Sequence, residues 1–331
     1  MAFRLRIGSR PSALALVQAN AIKREIERLA DGIAIEIVAI STGGDRMTSA
    51  SLGRVGGKGL FVRELEEALV DARIDIAVHS LKDLPAVLPE QFRIVAVPQR
   101  EDPRDALLIR DDREAADDRE PWQALERGAR VGTSSARRQY ELLRMHPDLA
   151  IVPLRGNVDT RLKRLADGGF DAIVLAMAGL KRLGKIDALE GIKLYPLDES
   201  NFVPSGAQAA LAIEALRTAT IGGSEELATI IASLNDAGSR AEVTAERSFL
   251  ATIGASCVSP VGVKGTISSE ELALRALLFS AEGTAQMADN CVTPLSIEDG
   301  KLETIARECG EALGKRMLAA GARALIETPS K

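Results

Sequence analysis

The chain has 331 residues, 46% hydrophobic and 27% charged, which suits two or three ordinary domains and excludes a disordered chain, a collagen-like fibre or a small disulfide scaffold. Its 42 basic and 47 acidic residues leave a net charge of −5, so no global basic field draws in nucleic acid or anionic lipid. Aromatic residues, at 3%, are too sparse for a base-stacking platform.

Leu5 and Ile7 open a strand that runs into Gly8-Ser9-Arg10-Pro11-Ser12. Residues 14–29 then repeat apolar side chains at helical spacing, as at Ile22, Ile26 and Leu29. Residues 33–40 are β-branched and strand-like. Residues 41–59 are polar and glycine-rich with no apolar period, and a loop of that length is a lid, a binding loop or disordered. A helix is predicted over 61–72, with buried-type strands at 74–78 and 94–97. The run 111–120 alternates acidic residues with arginine and reads as a solvated surface segment.

Alternation resumes with a strand at Val131, a Gly132-Thr133-Ser134-Ser135 turn, a helix, a strand at Ile151 and Val152, another helix, and a strand over 173–175. Residues 200–216 carry a Pro-Ser-Gly turn and an alanine-rich helix. Beyond residue 230 the pattern becomes α+β: a helix over 240–251, a loop around Cys257, a strand over 272–279 and a last helix over 296–325. Three cysteines with no CxxC spacing argue against a disulfide framework and against a zinc knuckle, so no metal site is expected. With no secretory pattern and no membrane-length apolar run, the expectation is a reduced, soluble, cytoplasmic protein.

An internal repeat points to two related halves. Leu65 and Leu69 lead to Asp75-Ile76-Ala77-Val78, and Leu162 and Leu165 lead to Asp171-Ala172-Ile173-Val174. Two such α/β lobes place a ligand in the cleft between them, at the carboxyl ends of the strands.

Nearly every strand end carries hydroxyls and a cation. Examples are Ser9, Arg10 and Ser12; Ser80 and Lys82; Thr133, Ser135, Arg137 and Arg138; Arg155 and Arg161; Lys181 and Arg182. Any one arginine could simply decorate a surface helix, but five recurrences predict a polyanionic ligand. Asp83, beside Lys82, is either an ion-pair partner or helix cap, or an acid facing positive charge that develops on substrate and able to protonate a leaving amine. Cys257 is either a small buried hydrophobe or a point of covalent attachment; no histidine base lies at a recognisable spacing. Val55-Gly56-Gly57-Lys58-Gly59 lacks the GxxxxGK[ST] pattern, so nucleotide binding is set aside.

The ordered series of motifs resembles the porphobilinogen deaminase family over nearly the whole chain. It comprises Arg6-Ile7-Gly8-Ser9-Arg10 with Ser12 and Gln18, Val55-Gly56-Gly57-Lys58-Gly59-Leu60-Phe61, and Asp75-Ile76-Ala77-Val78-His79-Ser80-Leu81-Lys82-Asp83-Leu84-Pro85. Further on stand Arg100-Glu101-Asp102-Pro103-Arg104-Asp105, Gly132-Thr133-Ser134-Ser135-Ala136-Arg137-Arg138-Gln139, Leu154-Arg155-Gly156-Asn157-Val158 and Ala178-Gly179-Leu180-Lys181-Arg182-Leu183.

The resemblance implies two α/β lobes similar to periplasmic solute-binding proteins plus a smaller C-terminal α+β domain. The divisions are 1–99 with 201–225, 100–200, and 226–331. It implies a monomer whose dipyrromethane cofactor is joined by a thioether to Cys257, with Asp83 as the catalytic acid. Lys82, Ser80, Thr133, Ser135, Arg137, Arg138, Arg155 and Gln208 fall on cofactor-binding positions. Arg10, Ser12, Gln18, Lys58, Phe61, Arg155, Arg161 and Arg182 fall on substrate-binding ones. The implied reaction joins four porphobilinogen molecules with loss of ammonia and releases a linear tetrapyrrole by hydrolysis.

Three departures from the family pattern stand out. Ala207 and Ala209 flank Gln208 where the family has glycines, and a positive φ would be strained on alanine, so Gly206 is expected to take it in a reshaped turn. Ala255-Ser256-Cys257 replaces the commoner Gly-Gly-Cys, and Thr42-Gly43-Gly44-Asp45 lacks an arginine. The rival readings are a solute receptor, which would hold no covalent pyrrole, and a transferase using Cys257 as a transient nucleophile.

Overall fold

The computed structural model describes residues 4–30, 32–46, 61–110, 120–256, 258–295 and 301–326. Strand β1 (Arg4–Ser9) leads into helix α1 (Ala13–Leu29), strand β2 (Ala34–Ala39), the short α2 (Gly43–Arg46), α3 (Arg63–Val70), β3 (Ile76–Ser80) and β4 (Phe92–Ala96). The second run is β5 (Asp105–Arg110), β6 (Arg130–Gly132), α4 (Ala136–Met145), β7 (Ala150–Val152), α5 (Val158–Ala166), β8 (Ala172–Ala176), α6 (Met177–Arg182) and β9 (Ile192–Pro196). Strand β10 (Leu211–Leu216) and α7 (Glu225–Ser233) precede α8 (Ala237–Ile253), β11 (Val261–Ile267), β12 (Glu271–Phe279), β13 (Gln286–Pro294), α9 (Leu302–Ala319) and α10 (Arg323–Ile326).

The two lobes have one topology. The first sheet runs β2-β1-β3-β10-β4 and the second β7-β6-β8-β5-β9. In each, three parallel strands are followed by one antiparallel strand that has just crossed from the other lobe. The repeat read in the sequence is thus physical. Asp75 accepts from the Arg6 N–H and Asp171 from the Arg130 N–H, each at 2.7 Å, so the same aspartate pins the first strand of each lobe. Gly8 and Gly132, at or next to the ends of those strands, leave no room for a side chain because Ile74 and Phe170 press against them. A Cβ would stand 2.3 Å from the Ile74 side chain and 2.9 Å from Phe170.

The Ser12 hydroxyl caps α1 by accepting from the Ala15 N–H at 3.3 Å, and the helix buries Ala19, Ile22 and Ile26 on the first sheet. Burial of each of those isoleucines contributes roughly 1.5–3 kcal/mol. The third unit is an antiparallel meander, β11-β12-β13, with α8 and α9 on one face. Phe249, Val263, Leu274, Leu278 and Leu313 are fully buried between them.

The alanine-rich stretch after the Pro-Ser-Gly turn, expected to be helical, is instead strand β10. It lies between β3 and β4 with Ala212, Ile213, Glu214 and Ala215 all buried, and burial on both faces overrides alanine's helix preference. The helix predicted over 61–72 is the shorter α3. The predicted last helix ends its first segment at Ala319 and restarts as α10, with 296–300 outside the described residues. The 47–59 part of the glycine-rich segment and most of the charged run (111–119) also lie outside them.

Candidate active site

Strand β3 delivers the acid. After Ser80 the chain makes a 3-10 turn, Leu81–Asp83, in which buried Leu81 is the anchor. That leaves Lys82 half-buried and Asp83 exposed. Both line a cavity of about 720 Å³. Its facing wall is Arg247 of α8, then Gly254, Ser256 and Ser259. Gly254 ends α8 in the left-handed region, φ 71°, and turns the chain towards Ser256. Cys257 and Lys58 lie outside the described residues, but Ser256 immediately precedes that cysteine, and it shares a cavity with Asp83.

Behind Lys82 runs a chain of buried polar contacts. Lys82 Nζ donates to Gln208 Oε1 at 3.0 Å. The other end of that amide donates to Asp105 at 2.9 Å and to the Pro103 carbonyl at 2.8 Å. Asp105, fully buried, also accepts from Arg137 Nη2 at 2.7 Å and Arg138 Nη2 at 2.6 Å. Burial pushes the Asp105 carboxyl up, but the two guanidinium groups overrule it and hold it well below the usual carboxylate range. Arg137 is further tied to Glu141 at 3.3 Å and to the Val203 carbonyl at 2.9 Å. Its guanidinium therefore braces Asp105 from within lobe two. Arg138 gives a third contact to the Val174 carbonyl at 3.0 Å.

The turn carrying Gln208 keeps its strain. Ala207 and Ala209 themselves adopt φ values of 58° and 72°, and Gly206 does not take the positive φ expected of it. Three charged side chains hold this backbone. Glu246 of α8 accepts from the Ala207 N–H at 2.5 Å, Arg100 donates to the Gln208 carbonyl at 2.8 Å, and Arg182 of α6 donates to the Ala209 carbonyl at 2.5 Å. Arg100 also pairs with Glu246 at 2.7 Å, which ties the crossing segment to the third unit. Side chains from three parts of the fold over-determine a conformation that alanine alone would avoid.

Most of the other predicted residues sit at strand ends. Ser135 caps α4 by accepting from the Arg138 N–H at 3.4 Å, and Thr133 accepts from the Ser135 N–H at 3.1 Å. Gln18 and Ser80 bond to each other at 3.0 Å, joining α1 to β3. Arg10 stacks 4.2 Å over the Phe61 ring and pairs with Asp45, which also accepts from the Thr42 hydroxyl at 2.8 Å. Arg161 donates to the Gly156 carbonyl at 2.8 Å, and Arg155 is half-buried with its guanidinium in none of these pairs.

The cations fall into two electrostatic classes. Arg6, Arg100 and Arg104 are raised because carboxylate partners more than offset burial. By contrast, burial pushes the Lys82 amine down to about 8, with Arg138 adding to the effect and Asp83 opposing it. Burial, helped by Arg138, brings Arg161 to about 10, and burial, helped by Arg240, does the same to Arg247. Burial also lowers Arg138 and Arg182. Arg138 keeps Asp105 as its counter-charge, whereas Lys82, Arg161, Arg182 and Arg247 are sheltered cations that donate to neutral carbonyl oxygens, a state that an anionic ligand relieves.

Sequence reasoning missed two members. Asp105 is the buried hub, and the Asp102-Pro103-Arg104-Asp105 run was its only signal. Arg247 lines the Asp83 cavity and donates to the Pro85 and Ala86 carbonyls at 2.7 and 3.1 Å; nothing in the helical pattern of α8 distinguished it from a surface arginine. Among the described residues no group of three or more His, Cys, Asp or Glu side chains could hold a metal ion.

Two family models match the chain: porphobilinogen deaminase, dipyromethane cofactor binding domain, over residues 5–220, and porphobilinogen deaminase, C-terminal domain, over 240–319. The porphobilinogen deaminase of Trichlorobacter lovleyi is 40% identical over 326 residues, covering 98% of this chain and 96% of that protein. The one from Chromobacterium violaceum is 41% identical over 320 residues, covering 97% and 96%. Among solved structures, a putative periplasmic sulfonate-binding protein from Methylobacillus flagellatus KT aligns with 70% of this chain and 67% of its own at 15% identity, with a TM-score of 0.39.

Proposed function

The chain belongs to the porphobilinogen deaminase family, and we propose that it deaminates and joins four porphobilinogen molecules and releases hydroxymethylbilane by hydrolysis. The observation that carries this reading is that Asp83 shares one cavity with Lys82 and Arg247, two sheltered cations that donate to neutral carbonyl oxygens rather than to carboxylates. Porphobilinogen bears two carboxylates, and a growing chain of such rings accumulates more. Forked guanidinium groups in a partly dry cleft suit those carboxylates.

The same donor set fits a dipyrromethane group, since Lys82 and Arg247 line the cavity that Ser256, the neighbour of Cys257, also lines. Bound as a thioether at Cys257, dipyrromethane supplies a free pyrrole α-carbon as the point of growth. Asp83 faces the positive charge that develops on the substrate pyrrole as ammonia leaves, and it can deliver a proton to the departing amine. Lys82 holds a carboxylate beside it, and Gln208 fixes the Lys82 amine from behind. Asp105 and Arg137 do not reach the reacting atoms in this scheme; they position Gln208 and Arg138.

Among the described residues no helix is long and apolar enough to cross a membrane. The reading takes the enzyme to be a cytoplasmic monomer with domains at 1–99 with 201–225, 100–200 and 226–331.

The intact mass of the denatured, desalted protein, made in cells that synthesise porphobilinogen, tests the proposal alongside Cys257→Ala. An excess of two pyrrole units, absent from the variant, supports it. An unmodified wild-type chain with no deaminase activity would leave a non-catalytic relative.

A further inference from the structure

The third unit holds a second pair of chemically active side chains that this reaction does not use. Strand β13 alternates strictly between exposed residues and half-buried ones, and Met287, Asp289, Cys291 and Thr293 form the face turned to α9. Cys309 lies on the buried face of α9. Their sulfurs are 2.9 Å apart. A tetrahedral zinc with Zn–S bonds of about 2.3 Å would hold two sulfurs roughly 3.8 Å apart, so the spacing does not suit a metal. It lies instead within about 0.9 Å of a disulfide bond length.

The surroundings keep the pair together. Arg316 of α9 donates to Asp289 and to the Asn290 carbonyl, both at 2.6 Å, and so clamps the helix to the strand immediately before Cys291. The contact makes the two sulfurs share a proton: it raises Cys291, where burial adds to the effect, and lowers Cys309, with the Thr293 hydroxyl and Arg316 adding and burial opposing. Cys291 is half-buried on an edge strand, whereas Cys309 is 4% exposed, so a solution reagent meets Cys291 first.

We propose that Cys291 and Cys309 are a modification site, a dithiol that a small-molecule disulfide of the glutathione class converts reversibly into an internal disulfide. Cys291 passes its proton to the Cys309 sulfur 2.9 Å away and attacks the reagent as the thiolate, forming a mixed disulfide and releasing the first thiol, which takes up a proton from solvent. Cys309 sulfur then attacks Cys291 and expels the second thiol, which takes the second proton. Two protein thiols are oxidised, one reagent disulfide is reduced to two thiols, and no other oxidant is needed.

The bond joins β13 to α9. Helix α9 lies against α8 so closely that a Cβ at Gly310 would stand 2.2 Å from the Ala245 carbonyl, and one at Gly314 would stand 2.7 Å from Thr252. Since α8 ends at Gly254, just before Cys257, oxidation braces the unit that carries that cysteine.

The reduced holoenzyme is incubated with oxidised glutathione, denatured, treated with N-ethylmaleimide and analysed by intact mass and peptide mapping. The expected product is lighter than the reduced chain by two hydrogens, carries no glutathione, and yields a cross-linked peptide pair containing Cys291 and Cys309. Cys309→Ala should instead keep one glutathione on Cys291. The thermal midpoint of the wild type should rise by several degrees on oxidation and return with dithiothreitol. Two alkylated thiols at these positions after oxidation, two stable glutathione adducts, or a fall in the midpoint would overturn the proposal. An alkylated Cys257 under the same quench would count against the cofactor reading alone.

Discussion

Lys82 and Gln208 lie 126 residues apart and are joined side chain to side chain at 3.0 Å. Because the same amide donates to Asp105, one neutral group stands between a lysine of lobe one and a carboxylate of lobe two. Gln208→Leu keeps most of the volume but leaves Lys82 without its acceptor and Asp105 without one donor. Unfolding in guanidinium chloride should show a loss of about 1–3 kcal/mol, the cost of unsatisfied buried polar groups. Its kcat/KM should fall as well, since Lys82 is no longer aimed. A variant with wild-type stability and kinetics would remove Gln208 from the network.

Asp105→Asn tests the hub. It leaves Arg137 and Arg138 buried without their shared counter-charge, and breaking such a pair costs about 3–5 kcal/mol. The wild type should also be sensitive to acid through this residue. Its folded-state carboxyl titrates below the unfolded value of 3.8, so the unfolded chain binds the proton more readily. The stabilisation is complete above 3.8 and is lost as pH falls below it towards the lower folded value. Asp105→Asn should flatten that part of the stability curve; an unchanged slope below 3.8 would place the acid sensitivity elsewhere.

How much of this was legible in the sequence differs between the levels of structure. The duplicated lobes were, because Asp75 and Asp171 repeat in the same place before a buried strand, and a backbone clamp needs that residue. Strand β10 was not, since Ala212 and Ala215 carry helix preference locally and become strand only when β3 and β4 enclose them. The cationic strand ends announced an anion site. Which cations have buried carboxylates of their own could not be read, because Asp105 and Arg137, 32 residues apart, meet only when β5 and α4 pack together in lobe two. The sulfur pair was invisible for the same reason: β13 is polar in sequence, and its pairing with α9 is a tertiary fact.

The strained turn makes a prediction in which opposing terms nearly cancel. A left-handed φ on alanine costs roughly 1–2 kcal/mol, which glycine would relieve. Each methyl is buried, however, and its loss costs about 0.8 kcal/mol, with the entropy of an added glycine costing a further 0.5–1 kcal/mol. Ala207→Gly and Ala209→Gly should therefore each change stability by less than about 1 kcal/mol. Ala209→Val adds β-branching at φ 72° inside a packed site and should destabilise by well over that amount. Equal stability of the glycine and valine variants would show that the turn is not held in the left-handed region.

The last prediction concerns pH. Burial brings Lys82 to about 8, so the free enzyme loses this charge as pH rises through that value. If Lys82 holds a substrate carboxylate, kcat/KM should fall about tenfold per unit above it. The limb in kcat should lie at higher pH, because a bound carboxylate favours the ammonium. Lys82→Arg keeps its charge throughout and should lose the limb. Gln208→Leu removes an acceptor for the charged form and should move the limb to lower pH. The stability effect has the opposite sense. The unfolded lysine titrates near 10.5, so the folded protein carries a sheltered ammonium at a cost below about 8, and that cost fades between 8 and 10.5. Lys82→Met should accordingly gain stability over wild type below about pH 8 and lose that advantage towards 10.5. A limb that survives Lys82→Arg unchanged would assign the titration to another group.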